Sequence, residues 1–279
     1  MHDVILIGGG PAGLSAALTL RARGKSVLLI SNDPLLSPLA KAERVDNYPG
    51  LPNITGRALL ERLTDQARAA GVDFTGGRAL AVMPAGNTLS VSVGQEVCNA
   101  TALILCVGVS RGKPLPGEME LLGAGVSYCT TCDGMLYRNR DVAVLGFTAD
   151  ANLEVEFLQS IGCRVRLLNP SRAKHMEILG TDRVRGIRLE GMEIACDGVF
   201  VLRDTIMPAA LVPGLDLDGS HIRVRPDMST SVPGVFAAGD CVGAPYQVAK
   251  AVGDGNVAAL SAAKYIDRLQ KEHSERKEN

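Results

Sequence analysis

The sequence predicts an α/β fold with parallel sheets, and three stretches carry that prediction. "DVILIGGGPAGLSAALTLRARGKSVLLIS" (3–31) places an apolar strand, a glycine-rich turn, a helix and a second strand in succession. "VAVLGFTADANLEVEFLQSIG" (142–162) repeats the strand, turn and helix layout with most of the glycines missing. "TSVPGVFAAGDCVG" (230–243) is a short apolar strand, and the small-residue helix "YQVAKAVGDGNVAALSAAKYI" (246–266) follows it. At 279 residues the chain exceeds the usual size of one domain, so one large or two medium units with proper cores are expected.

Composition narrows the function classes. Hydrophobic residues make up 46% and charged residues 21%, with 29 basic against 30 acidic side chains, so charge gives no reason to expect nucleic acid or membrane as a partner. The longest apolar run, "ALILCVGV" (102–109), is far shorter than the ~18 residues that span a bilayer. No charged leader with an apolar segment precedes the first strand, which is expected to start at Val4. The seven cysteines are an odd, scattered set, which points to a reducing cytoplasm and to a special role only where two lie close together.

The first strand leads into Gly8-x-Gly10-x-x-Gly13. Gly8 permits a sharp turn, Gly10 lets backbone approach a pyrophosphate, and Gly13 lets the helix lie close to the strand. An anion then sits on the free N–H groups at the helix N-terminus. The helix carries Leu14, Ala17, Leu18 and Leu20 on one side and stops at Gly24. The acidic residue usual after the second strand is replaced by Ser31-Asn32, either of which can still bond a ribose hydroxyl. Near the other end, Asp240 follows a strand's carboxyl end, where open parallel sheets bind ligands; it suits a ligand hydroxyl or a helix cap.

Between these halves lies "GVSYCTTCDG" (125–134). A zinc site would need a second Cys or His pair at comparable spacing, and none of the other five cysteines is so paired. A structural disulfide does not suit a cytoplasmic chain with no other close cysteines. A redox dithiol fits Cys129 and Cys132 best, since thiols at this spacing close a small ring and one can be activated as a thiolate. Asp133 is placed either to shuttle the proton of thiol–disulfide exchange or to form a turn before Gly134. His2, His175, His221 and His273 sit singly and suggest no metal site, Cys106 is expected as a small core residue, and the charged tail "DRLQKEHSERKEN" is expected to fray beyond the last helix.

Together these blocks, with "VDNYPG" (45–50) and "GRALLERLTDQARAAGV" (56–72), resemble the low-molecular-weight thioredoxin reductases over nearly the whole chain. The resemblance implies two Rossmann-like, three-layer nucleotide-binding domains, the second inserted in the first and reduced in size. FAD would occupy 1–112 with 208–279, and 113–207 would be the inserted, shortened NAD(P)H-type domain carrying the CxxC. The expected FAD contacts are Gly8, Gly10, Pro11, Ala12, Gly13, Asn47, Gly239, Asp240, Gln247 and Val248, together with Ser31, Asn32 and Tyr246 at positions where the chain departs from the family. By the same similarity Cys132 faces the flavin, Cys129 attacks the disulfide of a thioredoxin-like partner, and Asp133 is the acid. A homodimer is implied too, as is rotation of the inserted domain about crossings near 113 and 207, with Gly112, Pro114, Pro116, Gly117 and Pro208 as hinge material.

The chain departs from the family at the second turn, Gly146-Phe147-Thr148-Ala149-Asp150-Ala151. The family has Gly-x-Gly-x-x-Ala there, and a β-carbon at Thr148 obstructs the approach to a pyrophosphate. The arginine cluster that holds the 2′-phosphate of NADPH is replaced by Asn169-Pro170-Ser171-Arg172, and a helix and a strand are missing by comparison. These losses resemble the ferredoxin-dependent flavin thioredoxin reductases, which implies a protein electron donor such as ferredoxin. The run Arg164, Arg166, Arg172, Lys174, Arg183, Arg185 and Arg188 is placed either to steer an acidic carrier or to form a solvated face. Tyr246 stands where the family has Arg before Gln247, available to stack near the isoalloxazine or simply to pack. Three alternatives stay open: an atypical NAD(P)H site, a non-catalytic flavin-binding or sensing protein, and a second cofactor in the shortened domain.

Overall fold

A computed structural model of the chain describes all residues except 33–36, 38, 95, 109–113, 129, 148–150, 171–174, 203–207 and 279; of residues 131, 132 and 276–278 it describes the backbone alone. In chain order the first elements are β1 (His2–Ile7), α1 (Pro11–Ala22), β2 (Val27–Ser31), α2 (Gly56–Ala69), β3 (Asp73–Gly76), β4 (Ala79–Ala85), β5 (Thr88–Val93) and β6 (Glu96–Leu105). Next come β7 (Val126–Ser127), α3 (Thr130–Asp133), β8 (Asp141–Gly146), α4 (Ala151–Ser160), β9 (Arg164–Leu168), β10 (Met176–Gly180), β11 (Val184–Leu189), β12 (Met192–Ala195) and β13 (Gly198–Leu202). The chain closes with α5 (Pro208–Leu211), β14 (Leu217–Asp218), β15 (His221–Ile222), β16 (Val235–Ala237) and α6 (Val248–Glu278). Two compact units result, Met1–Ser110 with Met207–Asn279, and Arg111–Ile206.

The larger unit is organised by a sheet of order β3-β2-β1-β6-β5-β4, with β16 also on β6. Strands β3, β2, β1, β6 and β16 pair in parallel and β4, β5 and β6 antiparallel. The continuous apolar runs follow from burial on both faces: Val4 to Leu6 and Leu103 to Leu105 are inaccessible to solvent. Pro11 suits the first helical position of α1, where a missing N–H costs nothing, and Gly24 turns the chain at φ +71°. Helix α2 starts on Thr55, whose hydroxyl accepts the Ala58 N–H at 3.2 Å. A stripe of small residues in α6 (Ala251, Gly255, Ala258, Ala259, Ala262) lets it press on α1, so closely that a β-carbon on Gly255 would lie 2.1 Å from the Ala12 carbonyl oxygen.

The smaller unit has a four-stranded parallel sheet, β7-β13-β8-β9, and a separate antiparallel meander, β10-β11-β12. Val142, Val144, Phe200 and Leu202 of the parallel sheet pack with Ala151 and Leu158 of α4.

Three details differ from the sequence reading. Strand β1 begins at His2, which pairs with Ala100, and not at Val4. Helix α4 ends at Ser160, because Gly162 takes φ +94°. The charged tail does not fray after the last helix: α6 continues to Glu278, since no Gly or Pro follows Gly255 and Arg268 pairs with Glu272 one turn on. Among the described residues no helix is long and apolar enough to cross a membrane, and no group of three or more His, Cys, Asp or Glu is placed to hold a metal.

Candidate functional site

The glycines of the first turn divide into two kinds. At Gly8, with φ +117°, a β-carbon would lie 2.2 Å from the Cys106 carbonyl oxygen, and at Gly13 it would lie 2.0 Å from the Gly8 carbonyl oxygen. These two glycines are required by the protein's own backbone. Gly10 caps α1 with extended backbone, and a β-carbon there would meet nothing within 4 Å. What its missing side chain leaves is space beside the free N–H groups at the start of a twelve-residue helix with no acidic residue in its first turn.

Of the other sequence-predicted cofactor residues, Ser31 and Gly239 lie against this turn and its helix. Ser31 Oγ, at the end of β2, accepts the Gly9 N–H at 3.1 Å and donates to the Asn32 carbonyl at 2.7 Å, which ties the β2 end to the glycine turn. Ala12 is buried in α1, and a β-carbon on Gly239 would sit 2.9 Å from its own. Gly239 and Asp240 open a 3₁₀ turn, Gly239–Val242, directly after β16. Asp240 is not a helix cap: Ala238 holds that position, and the Asp240 carboxylate makes no hydrogen bond among the described residues. Burial pushes this carboxyl above the usual Asp range; Lys250 draws it back and Asp254 adds to the rise. Asn47 Nδ2 donates to Gln247 Oε1 at 2.6 Å, joining two residues far apart in sequence. Val248 starts α6 and packs with Val45, Ile54 and Leu59. Tyr246 is half exposed and shares a 2.7 Å hydrogen bond with His221 Nε2.

In the smaller unit, Cys129 lies outside the described residues; Cys132 is in the single-turn helix α3, its side chain undescribed. Side-chain hydrogen bonds hold the surroundings. Ser127 Oγ donates to Asp133 Oδ2 at 2.7 Å. Thr130 Oγ1 donates to Glu154 of α4. Tyr128, the residue before Cys129, donates from its hydroxyl to Glu118 at 2.9 Å, and the other Glu118 oxygen accepts the Leu115 N–H at 2.8 Å. Glu118 is wholly buried, and sequence reasoning missed it. Its signal, an acidic residue after Pro116-Gly117 with a Tyr ten positions on, has no fixed spacing rule behind it.

The second glycine turn is built differently from the first. At Gly146, the last residue of β8, a β-carbon would meet the Ala151 β-carbon at 2.8 Å and Leu167 Cδ1 at 3.2 Å, so the packing favours glycine there. The Phe147 N–H is given to the Leu202 carbonyl at 2.9 Å, and residues 148–150 lie outside the described set. The basic run is partly neutralised. Arg164 grips Asp141 with two bonds of 2.8 and 2.7 Å, holding that carboxyl below its usual range, and Arg188 bridges Glu177 and Glu193. Arg172 and Lys174 lie outside the described residues, as do Gly112 and the crossing near 207.

A family model described as pyridine nucleotide-disulphide oxidoreductase matches residues 2–173. The thioredoxin reductase of Aquifex aeolicus is 30% identical, covering 97% of this chain and 95% of its own. Two solved structures of ferredoxin-flavin thioredoxin reductases from Clostridium acetobutylicum are 38% and 34% identical, with TM-scores of 0.82 and 0.85. Each covers 96% of this chain and 98% of its own. With two units of this architecture, the class is a flavin-dependent oxidoreductase. The chain belongs to the pyridine nucleotide-disulphide oxidoreductases and, among them, to the thioredoxin reductase-like disulfide oxidoreductases, which are FAD enzymes. The residues present fit that cofactor, since Gly10 leaves open space at a helix N-terminus and the Asp240 carboxylate has no hydrogen bond among the described residues.

Proposed function

We propose that this enzyme passes electrons through the Cys129–Cys132 pair to thioredoxin or a thioredoxin-like protein, and that a carrier protein such as ferredoxin, not NADPH, supplies them. The observation that carries the donor assignment is the short path after β9. Only residues 169–175 lie between β9 and β10, and β10 belongs to another sheet. A crossover to a further parallel strand takes about a dozen residues or more, so the small unit has no room for the second helix and third strand of a dinucleotide-binding half. The loss of glycine at Thr148 and the likeness to ferredoxin-flavin thioredoxin reductases support the same reading.

In this reading Gly8, Gly10, Gly13, Ser31, Asn47, Gly239, Asp240 and Gln247 hold FAD in the larger unit, with Asp240 on a ribityl hydroxyl. Bound FAD supplies the ability to accept electrons one at a time and deliver them as a pair. The chain's own residues do the thiol chemistry. The Cys129 thiolate attacks one sulfur of the partner's disulfide and expels the other as a thiolate; Cys132 then attacks Cys129, closing the intramolecular disulfide and releasing the dithiol partner. Asp133 moves the proton these exchanges require, and Ser127 fixes which oxygen of its carboxyl faces the hydroxyl donor. Glu118 and Tyr128 hold the chain on the amino side of Cys129, and Thr130 with Glu154 holds the carboxyl side.

Thioredoxin reduction driven by reduced ferredoxin tests the assignment. Cys129→Ser and Cys132→Ser are each expected to lose more than about a hundredfold in turnover. Wild-type turnover by either variant contradicts the dithiol role.

A further inference from the structure

Lys250 and Asp254 lie one turn apart near the start of α6, and both reach the turn that follows β16. The Lys250 ammonium donates to the carbonyl oxygens of Gly239 at 3.0 Å and Gly243 at 2.8 Å, and to Asp254 Oδ2 at 2.8 Å. That uses all three donors of an ammonium group. Asp254 Oδ2 also accepts the Gly239 N–H at 3.2 Å, so both backbone groups of Gly239 are bound by side chains of α6. Gly239 and Gly243 take φ +86° and +113°, and a β-carbon at Gly239 would press on Ala12 of α1. The two charged side chains keep only 21% and 12% of their exposure. A pair buried this far is a weak source of stability, because its desolvation cost offsets its attraction. What it supplies here is geometry: one cation ties the first residue of the turn to the residue just past its end, with Asp240 between.

We propose that Lys250 is the positioning residue of the FAD-binding turn, its ammonium pinning Gly239 and Gly243 so that Asp240 is presented to the cofactor in one fixed place. The inference rests on the reading that Gly239 and Asp240 hold FAD. It assigns to Lys250 a role that the glycine fingerprint does not contain, since its ammonium is taken up by two backbone carbonyls and Asp254. The cation also offsets the charge of the Asp240 and Asp254 carboxylates beside the cofactor, so its removal makes reduction of the flavin harder.

The test compares FAD affinity, by reconstitution of the apoprotein, and the flavin midpoint potential in Asp240→Ala, Lys250→Met and Lys250→Met/Asp254→Asn. The double variant leaves the Gly239 N–H an acceptor and removes the carboxylate that Lys250 pairs with. Melting of each apoprotein checks that it folds, and an unfolded single variant leaves the double one to decide. Affinity is expected to fall about tenfold or more in all three, as for loss of a charge-assisted contact, and the potential to fall in Lys250→Met. Affinity within twofold of wild type in both lysine variants, or a loss confined to Lys250→Met and cured in the double variant, overturns the clamp; so does an unchanged potential in Lys250→Met. If Asp240→Ala also binds FAD as wild type does, the turn does not hold the cofactor and the underlying reading fails with it.

Discussion

The two strand–turn–helix units of this chain begin alike and diverge within three residues. After β1 the turn has Gly8, Gly10 and Gly13; after β8 it has Gly146, Phe147 and Thr148. Gly8, Gly13 and Gly146 are positions where a β-carbon would collide with the protein itself. Gly10 is the position where it would meet nothing within 4 Å among the described residues, and the matching residue of the second turn is Thr148. On the function proposed above, the second unit has kept the glycine its own packing needs and lost the one that a ligand would need.

Substitutions at paired positions can break that comparison. The largest effect is expected for Gly8→Ala, which combines a 2.2 Å clash with backbone and a left-handed φ; about 3–5 kcal/mol of folding stability should be lost in denaturant titration. Gly146→Ala meets a methyl group and a movable leucine instead, so about 1–3 kcal/mol is expected. Equal losses at the two sites would remove the distinction between a backbone collision and a packing one.

Buried thiols give the next effect, and they occur in both units. Burial pushes Cys241 up to about 12 and Cys196 up to about 11, against 9.0 for a free thiol. Above about pH 9 an unfolded thiol loses its proton while the buried one keeps it, so the unfolded state gains and stability falls as pH rises. Stability of the wild type measured from pH 9 to pH 11 should therefore decline faster than that of Cys241→Ala, by up to about 1.4 kcal/mol per pH unit. Identical slopes would mean that Cys241 is not buried as described.

Ser127→Ala sharpens the account of the smaller unit. It removes the hydroxyl that bonds Asp133, and turnover with thioredoxin should fall about fivefold to tenfold, the worth of one ordinary hydrogen bond, with little change in KM. The smallest effect on folding belongs to Gly10→Ala: stability should stay within about 0.5 kcal/mol while FAD affinity drops, because the new methyl group enters ligand space alone.

What the sequence made legible was whatever rests on short-range pattern. The first turn, its helix and the apolar strands follow from glycine spacing and period, and α6 packs where its small residues pointed. The tail was misjudged because charge was taken as fraying, although Arg, Lys, Gln and Glu are good helix formers when no breaker intervenes. Contacts between distant positions were not legible without the fold: Glu118 with Tyr128, Asn47 with Gln247, His221 with Tyr246. The Lys250–Asp254 pair left a faint trace, two opposite charges four apart in an otherwise small-residue helix face. Its targets, the carbonyls of Gly239 and Gly243, are backbone groups that no side-chain pattern announces.

The central claim, that the second unit no longer serves a nicotinamide donor, is tested most directly by anaerobic spectroscopy of the FAD-loaded enzyme. NADPH, NADH and reduced ferredoxin are mixed with it separately while the visible absorbance of the oxidised flavin is followed. The account predicts bleaching by ferredoxin and none by either nucleotide within turnover time. Rapid, saturable bleaching by NADPH or NADH would contradict it and make this a thioredoxin reductase with an atypical nucleotide site.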